Sequence, residues 1–117
     1  MEGDIEVLRE AYRHFNVRDI DGVLRLMCSD VDWPNGMEGG WVHGREAVRA
    51  YWTRQWLAVD PHVAPEGFEE EDGRTVVTVK QVVRDLTGKV LMDRMVEHVY
   101  TMEDGLIRRM EIRDVQS

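Results

Sequence analysis

Val96-Glu-His-Val-Tyr-Thr-Met-Glu-Asp-Gly-Leu-Ile-Arg-Arg-Met-Glu-Ile-Arg-Asp114 is the stretch on which the fold turns. Asp104-Gly105 stands between two alternating runs and marks a hairpin. The register decides which side chains meet a core, because a slip of one residue inverts every face. If Asp104-Gly105 is a two-residue turn, Glu97 and Val99 share a face with Met110 and Ile112. If Glu103-Asp104-Gly105 is a three-residue loop with Gly105 in the left-handed bulge position, Val96, His98 and Tyr100 share it instead. The second register is preferred, since the first buries Glu97 among apolar neighbours at a cost of several kcal/mol. It turns Val96, Tyr100, Met102, Met110 and Ile112 inward, and leaves Asp93, Glu97, Arg109, Glu111 and Arg113 outward. Arg94, His98 and Asp114 join the inner face. Arg94 sits opposite Asp114, and His98 lies about 13 Å along the strand from Arg94 at ~3.4 Å per residue.

Upstream, Arg74–Asp85 is β-rich and Thr87-Gly88 turns it into a second long strand, Val90–Met102. The register of 75–85 is open, with Gln81 as its candidate pocket residue. Glu66-Gly-Phe-Glu-Glu-Glu-Asp-Gly73 reads as a solvated edge strand and turn, because adjacent carboxylates point to alternate faces. Three amphipathic helices precede the strands. Asp4 is a candidate N-cap for the first, with Ile5, Leu8, Tyr12 and Phe15 at helical spacing. Asp19 caps the second, whose stripe is Ile20, Val23, Leu24 and Met27. The third starts near Gly44-Arg45 and stops before Pro61, with Val48, Tyr51, Trp52, Gln55, Trp56 and Val59 on one broad face. Between them, Asp30–Pro34 reads as a short strand and Asn35–Gly44, with four glycines, as a loop. Helices that precede a curled antiparallel sheet can fold over one face and leave a pocket, so this order points to a small-molecule site.

The 117 residues have room for a single domain, 1–117. A formal charge of −8 and no Lys/Arg cluster leave no basic face to displace counterions, which excludes nucleic-acid binding and disfavours anionic membranes. No run reaches membrane-spanning length, and a cytoplasmic location is expected. The one cysteine, Cys28, permits no internal disulfide; it reads as a small buried hydrophobe, and no metal-ligand spacing surrounds it.

At Asp30-Val-Asp-Trp33, His43-Gly-Arg-Glu-Ala-Val48 and Val96–Ile107, with Asp114 ending the last strand, the chain resembles the nuclear transport factor 2-like superfamily. The branch it resembles is that of the SnoaL-like polyketide cyclases and ketosteroid isomerase-like proteins. The resemblance covers nearly the whole chain. It implies an α+β fold in which three N-terminal helices pack on a curved, mostly antiparallel sheet to form a cone with an internal pocket. SnoaL-like cyclases use an aspartate near the end of the last strand as general base, and Asp114 matches that place. Polar residues on the preceding strand match His98 and Tyr100. A ketosteroid isomerase needs a tyrosine on the first helix, where the match falls on Ala11 with Tyr12 one position off. It also needs a carboxylate after the first strand, where Pro34 and Asn35 stand. Relatives commonly pair through the outer face of the sheet, so a homodimer is expected.

Two functions follow as expectations. The first is a lyase, isomerase or cyclase acting on a hydrophobic carbonyl compound without metal or organic cofactor. Asp114 removes a proton alpha to the carbonyl, and His98, Tyr100 or Tyr51 donates to the developing enolate oxygen. Arg94 opposes that role, since pairing with Asp114 lowers the basicity of the carboxylate. The second is a non-catalytic pocket or dimeric scaffold, with Tyr12, Phe15, Trp33, Trp52, Trp56, Met110 and Ile112 holding an apolar ligand. Trp41 serves either as a lid or as a surface anchor of its loop. Arg94–Asp114 also reads as a structural ion pair, and His98 as a core histidine with one hydrogen bond.

Overall fold

The computed structural model describes residues 2–115. The elements run α1 (Glu2–Asn16), α2 (Ile20–Leu24), β1 (Met27–Pro34), β2 (Trp41–His43), α3 (Arg45–Ala58), β3 (Asp60–Glu71), β4 (Arg74–Arg84), β5 (Val90–Glu103) and β6 (Leu106–Asp114). The strands form one six-stranded sheet in the order β2-β1-β6-β5-β4-β3. Every pairing is antiparallel except β1 with β6. The sheet curves without closing, and the helices pack on one face of it. The fold is α+β.

The stripe of α1 sends Leu8, Ala11 and Tyr12 into the core, where they meet Val63, Val77, Val79, Val96, Tyr100 and Met110 of the sheet. From α3 come Val48, Tyr51 and Trp52. Asn16 ties the end of α1 to β3: its Nδ2 donates to the Val63 carbonyl at 2.7 Å and its Oδ1 accepts from the Val63 amide at 3.0 Å. Asp19 caps α2, accepting from the Gly22 amide at 3.0 Å. Gly22 has no room for a side chain there, because a Cβ would lie 2.5 Å from His14 Nδ1.

Several boundaries differ from the sequence reading, each for a physical reason. Asp4 lies inside the first turn of α1, which starts at Glu2. Met27 leaves the helical stripe and opens β1, where parallel pairing with Ile107 claims its backbone. The glycine loop contains a short strand, β2, that pairs with Asp32–Pro34. β3 runs through both Pro61 and Pro65. It occupies a sheet edge, where a missing N–H costs no ladder bond on the open side.

The last hairpin corrects the register argument. Glu103 pairs with Leu106 across a two-residue turn, in which Asp104 and Gly105 both have positive φ, 53° and 78°. Such a turn matches the right-handed twist of the strands. The bulge comes one step later: Thr101 pairs with Arg109 but Met102 with Ile107, leaving Arg108 as the extra residue. That bulge gives Val96, His98 and Tyr100 the same inward face as a three-residue loop would. The shorter turn and the bulge each move the register by one residue, so Asp114 stands opposite Val96 and not opposite Arg94. The expected Arg94–Asp114 ion pair is therefore absent. Arg94 Nε donates instead to Gln81 Oε1 at 3.3 Å.

On the outer face, Glu97 accepts from Arg113 Nε at 2.6 Å, Arg113 also grips Glu71, and Asp93 lies 3.1 Å from Lys80.

Candidate functional site

Between the helices and the sheet lies a cavity of about 100 Å³. α1 contributes Ala11, Tyr12 and Phe15, and α3 contributes Tyr51, Trp52 and Gln55. The inner face of the sheet adds Trp33 and Pro34 from β1, Gln81 from β4, His98 and Tyr100 from β5, and Met110 and Ile112 from β6. Exposed Gly36 and Ile112 mark its mouth. The space holds several water molecules at ~10–15 Å³ each.

Its walls are aromatic. Trp52 stacks on Trp56 with centroids 5.9 Å apart, Phe15 meets both edge-on, and Trp33 stands at 90° to Trp52. These offset and edge contacts suit the ring quadrupoles and fix the wall more firmly than area burial alone. At the mouth, the Tyr51 hydroxyl accepts from the Gly36 amide at 2.9 Å, which ties the glycine loop to α3.

The polar centre is a hydrogen-bonded chain of three buried groups. Tyr100 donates its hydroxyl proton to the Tyr12 oxygen at 2.9 Å. Tyr12 lies 2.8 Å from His98 Nδ1. In the tautomer in which Tyr12 donates to Nδ1, the neutral imidazole carries its own proton on Nε2. Burial drives the His98 pKa down from 6.5 to about 4, so the ring is uncharged at neutral pH. Burial raises both tyrosine hydroxyls well above their usual range, and they stay protonated. Nε2 makes no hydrogen bond among the described residues. Trp56 Nε1 is the only fully buried side-chain polar atom there without a partner. His98 Nε2 therefore opens onto the cavity.

The remaining candidate residues lie elsewhere. Asp114 is exposed at the end of β6 and outside the cavity lining. Along its inward row, Met110 is 2% exposed and Ile112 41%, so shelter has run out before Asp114 is reached. Arg94 is exposed at the rim. Trp41 is on the short edge strand, with the Arg109 guanidinium 4.1 Å above its ring; it anchors the surface and is no lid. Trp56 supports the wall from behind, where the Arg18 guanidinium covers it at 4.8 Å. Asp32, one of the two carboxylates of β1, points outward to His43 at 2.5 Å.

The sequence reading passed over the Tyr12–Tyr100–His98 contact, which spans 86 and 88 positions. Its one available signal was a tyrosine on a buried helical stripe, which needs a partner for its hydroxyl. Pro61 and Val63 also line the cavity and were missed because the prolines hid the start of β3.

A family model described as a SnoaL-like domain matches residues 8–110. The chain belongs to the SnoaL-like family. Within the nuclear transport factor 2-like superfamily, this SnoaL-like chain is similar to TerC, whose crystal structure was obtained with polyporic acid. The two are 31% identical over 97% of this chain and 92% of that one, with a TM-score of 0.84. A nuclear transport factor 2-like protein of Burkholderia pseudomallei is 30% identical over 98% and 92%, with a TM-score of 0.85. A Mycobacterium tuberculosis protein in complex with estradiol-17β-hemisuccinate shares the fold at 21% identity, covering 92% and 90% with a TM-score of 0.77. No curated protein matches the sequence.

Proposed function

We propose that this SnoaL-like protein holds a hydrophobic carbonyl compound in its aromatic cavity and promotes isomerisation or cyclisation by polarising the carbonyl, with no cofactor. The observation that carries this reading is neutral His98 in the cavity wall, with Nδ1 engaged by Tyr12, Tyr100 behind it, and Nε2 left for a ligand. A neutral imidazole donates to the developing enolate oxygen while a solvent base, water or hydroxide admitted at the mouth, takes the α-proton, since no carboxylate lines the cavity. The walls hold the ligand in one orientation, which supplies the rest of the rate enhancement. The similarity to TerC, crystallised with polyporic acid, supports a small-molecule ligand. Asp114 takes no part in this reading, because it lies outside the cavity.

The test is exchange of the α-protons of 2-tetralone for deuterium, followed by NMR. The native chain is expected to accelerate exchange, and His98→Phe to lose about 10²-fold or more of the acceleration. Asp114→Asn is expected to retain it. Full acceleration in His98→Phe overturns the mechanism.

A second reading is binding without turnover. It is favoured by one observation: no carboxylate is among the cavity-lining residues, so no strong base stands beside the donor. Tetralone that binds without exchanging identifies this case. In either reading the chain works as a homodimer paired through the outer face of the sheet. A cytoplasmic setting suits its buried, unpaired Cys28 thiol.

A further inference from the structure

No Asp, Glu, Lys or Arg is found among the residues that line the cavity, whichever helix, strand or loop contributes them. Most charged groups around it face away and are already engaged, while Arg94 and Asp114, on the inward rows, stand exposed to solvent outside the lining. Asp32 is held by His43 and Arg109, and Glu97 by Arg113. Arg18 lies behind Phe15 and Trp56, bound to Asp60 and the Pro61 carbonyl. At the rim, Arg94 donates to Gln81. The interior therefore offers an ion no counter-charge.

The polar groups of the lining are all neutral, and Tyr51, Gln55 and Gln81 are tied to Gly36, to one another or to Arg94. The Tyr100 and Tyr12 protons are both spent inside the relay, so the donor left over at the deep end is His98 Nε2–H.

We propose, resting on the binding reading above, that the cavity selects uncharged ligands bearing a hydrogen-bond acceptor, such as a ketone or carboxamide oxygen. It rejects ions of the same shape. A carboxylate brought to Nε2 loses its water and gains a single neutral donor, which leaves most of its desolvation unpaid. A cation meets an N–H and has no acceptor of opposite charge. An ionisable acid enters in its protonated form, with its pKa raised on binding.

Isothermal titration calorimetry of the native chain at pH 7 with 2-naphthamide, 2-naphthoate and 2-naphthamidine tests this, since the three share ring and shape and differ in charge. The amide is expected to bind more than about tenfold tighter than either ion. The cation is the stringent control: the formal charge of −8 draws it to the surface, so weak binding reports the interior. Naphthoate or naphthamidine binding as tightly as the amide overturns the charge selection and leaves the binding reading intact. Binding by none of the three overturns the binding reading and this inference with it. In His98→Phe, naphthamide is expected to weaken about three- to tenfold while 2-methylnaphthalene binds as before, which shows an intact cavity. Unchanged naphthamide affinity in that variant overturns the acceptor requirement.

Discussion

His98 is the residue where structure and chemistry meet most closely. Its pKa falls to about 4 in the folded chain, against 6.5 for the free side chain. Between those values the unfolded chain binds a proton that the folded chain refuses, so acid favours unfolding. The contribution is fully present above about pH 6.5 and is lost as pH falls toward 4, amounting to about 3 kcal/mol at ~1.4 kcal/mol per pKa unit. Urea midpoints of the native chain are therefore expected to drop across that window more steeply than those of His98→Phe. Parallel curves for the two proteins contradict the assignment. At this scale the sequence told half the story. It marked His98 and Tyr100 as inward polar residues on one strand face. It did not show that Tyr12 completes the chain, because strand alternation says nothing of which helix residue lands above. Asp114 falls outside the cavity lining for a related reason: alternation gives the face of a residue and not how far shelter extends along it.

Among the elements, the joints decide more than the regular spans. The Arg108 bulge sets which face of β6 looks inward, and thereby places Met110 and Ile112 in the cavity wall. Alternation and the apolar count pointed to the correct face through an incorrect turn, since a bulge inside the strand and a longer loop invert the pattern alike. β3 was legible only in its acidic second half, because Pro61 and Pro65 are strand breakers everywhere but at an edge. Asn16 is the other joint, fastening α1 over β3 with two hydrogen bonds to Val63. Asn16→Ala leaves both partly buried backbone groups of Val63 without their side-chain partner. It is expected to destabilise the fold by about 1–3 kcal/mol, read as a lower urea midpoint at unchanged slope. An unchanged midpoint shows that the clamp is idle.

Across the whole molecule, the helices cover one face of the sheet and leave the other to ion pairs. Val76 and Val99 stand opposite each other on that outer face and are 3% and 2% exposed. The stems of neighbouring arginines and glutamates are left as their cover. Such a surface suits a polar pairing of two copies, and light scattering at micromolar concentration is expected to give a mass near twice 13.7 kDa. A single-copy mass overturns the homodimer. The architecture at this scale was the most legible part, because helix and strand periods follow local chemistry and their order constrains how they pack.

The sheet stays open, so it has two free edges, and either is a template on which stray chains can polymerise. One edge is β2, only three residues long. The other is β3, which combines two prolines, a kink between Pro65 and Gly67 and the negative charges of Glu66, Glu69, Glu70 and Glu71. A growing fibril finds no straight, neutral, donor-complete strand to extend on either side. The same acidic, proline-broken stretch that blurred the reading of β3 thus guards the protein against amyloid-like assembly.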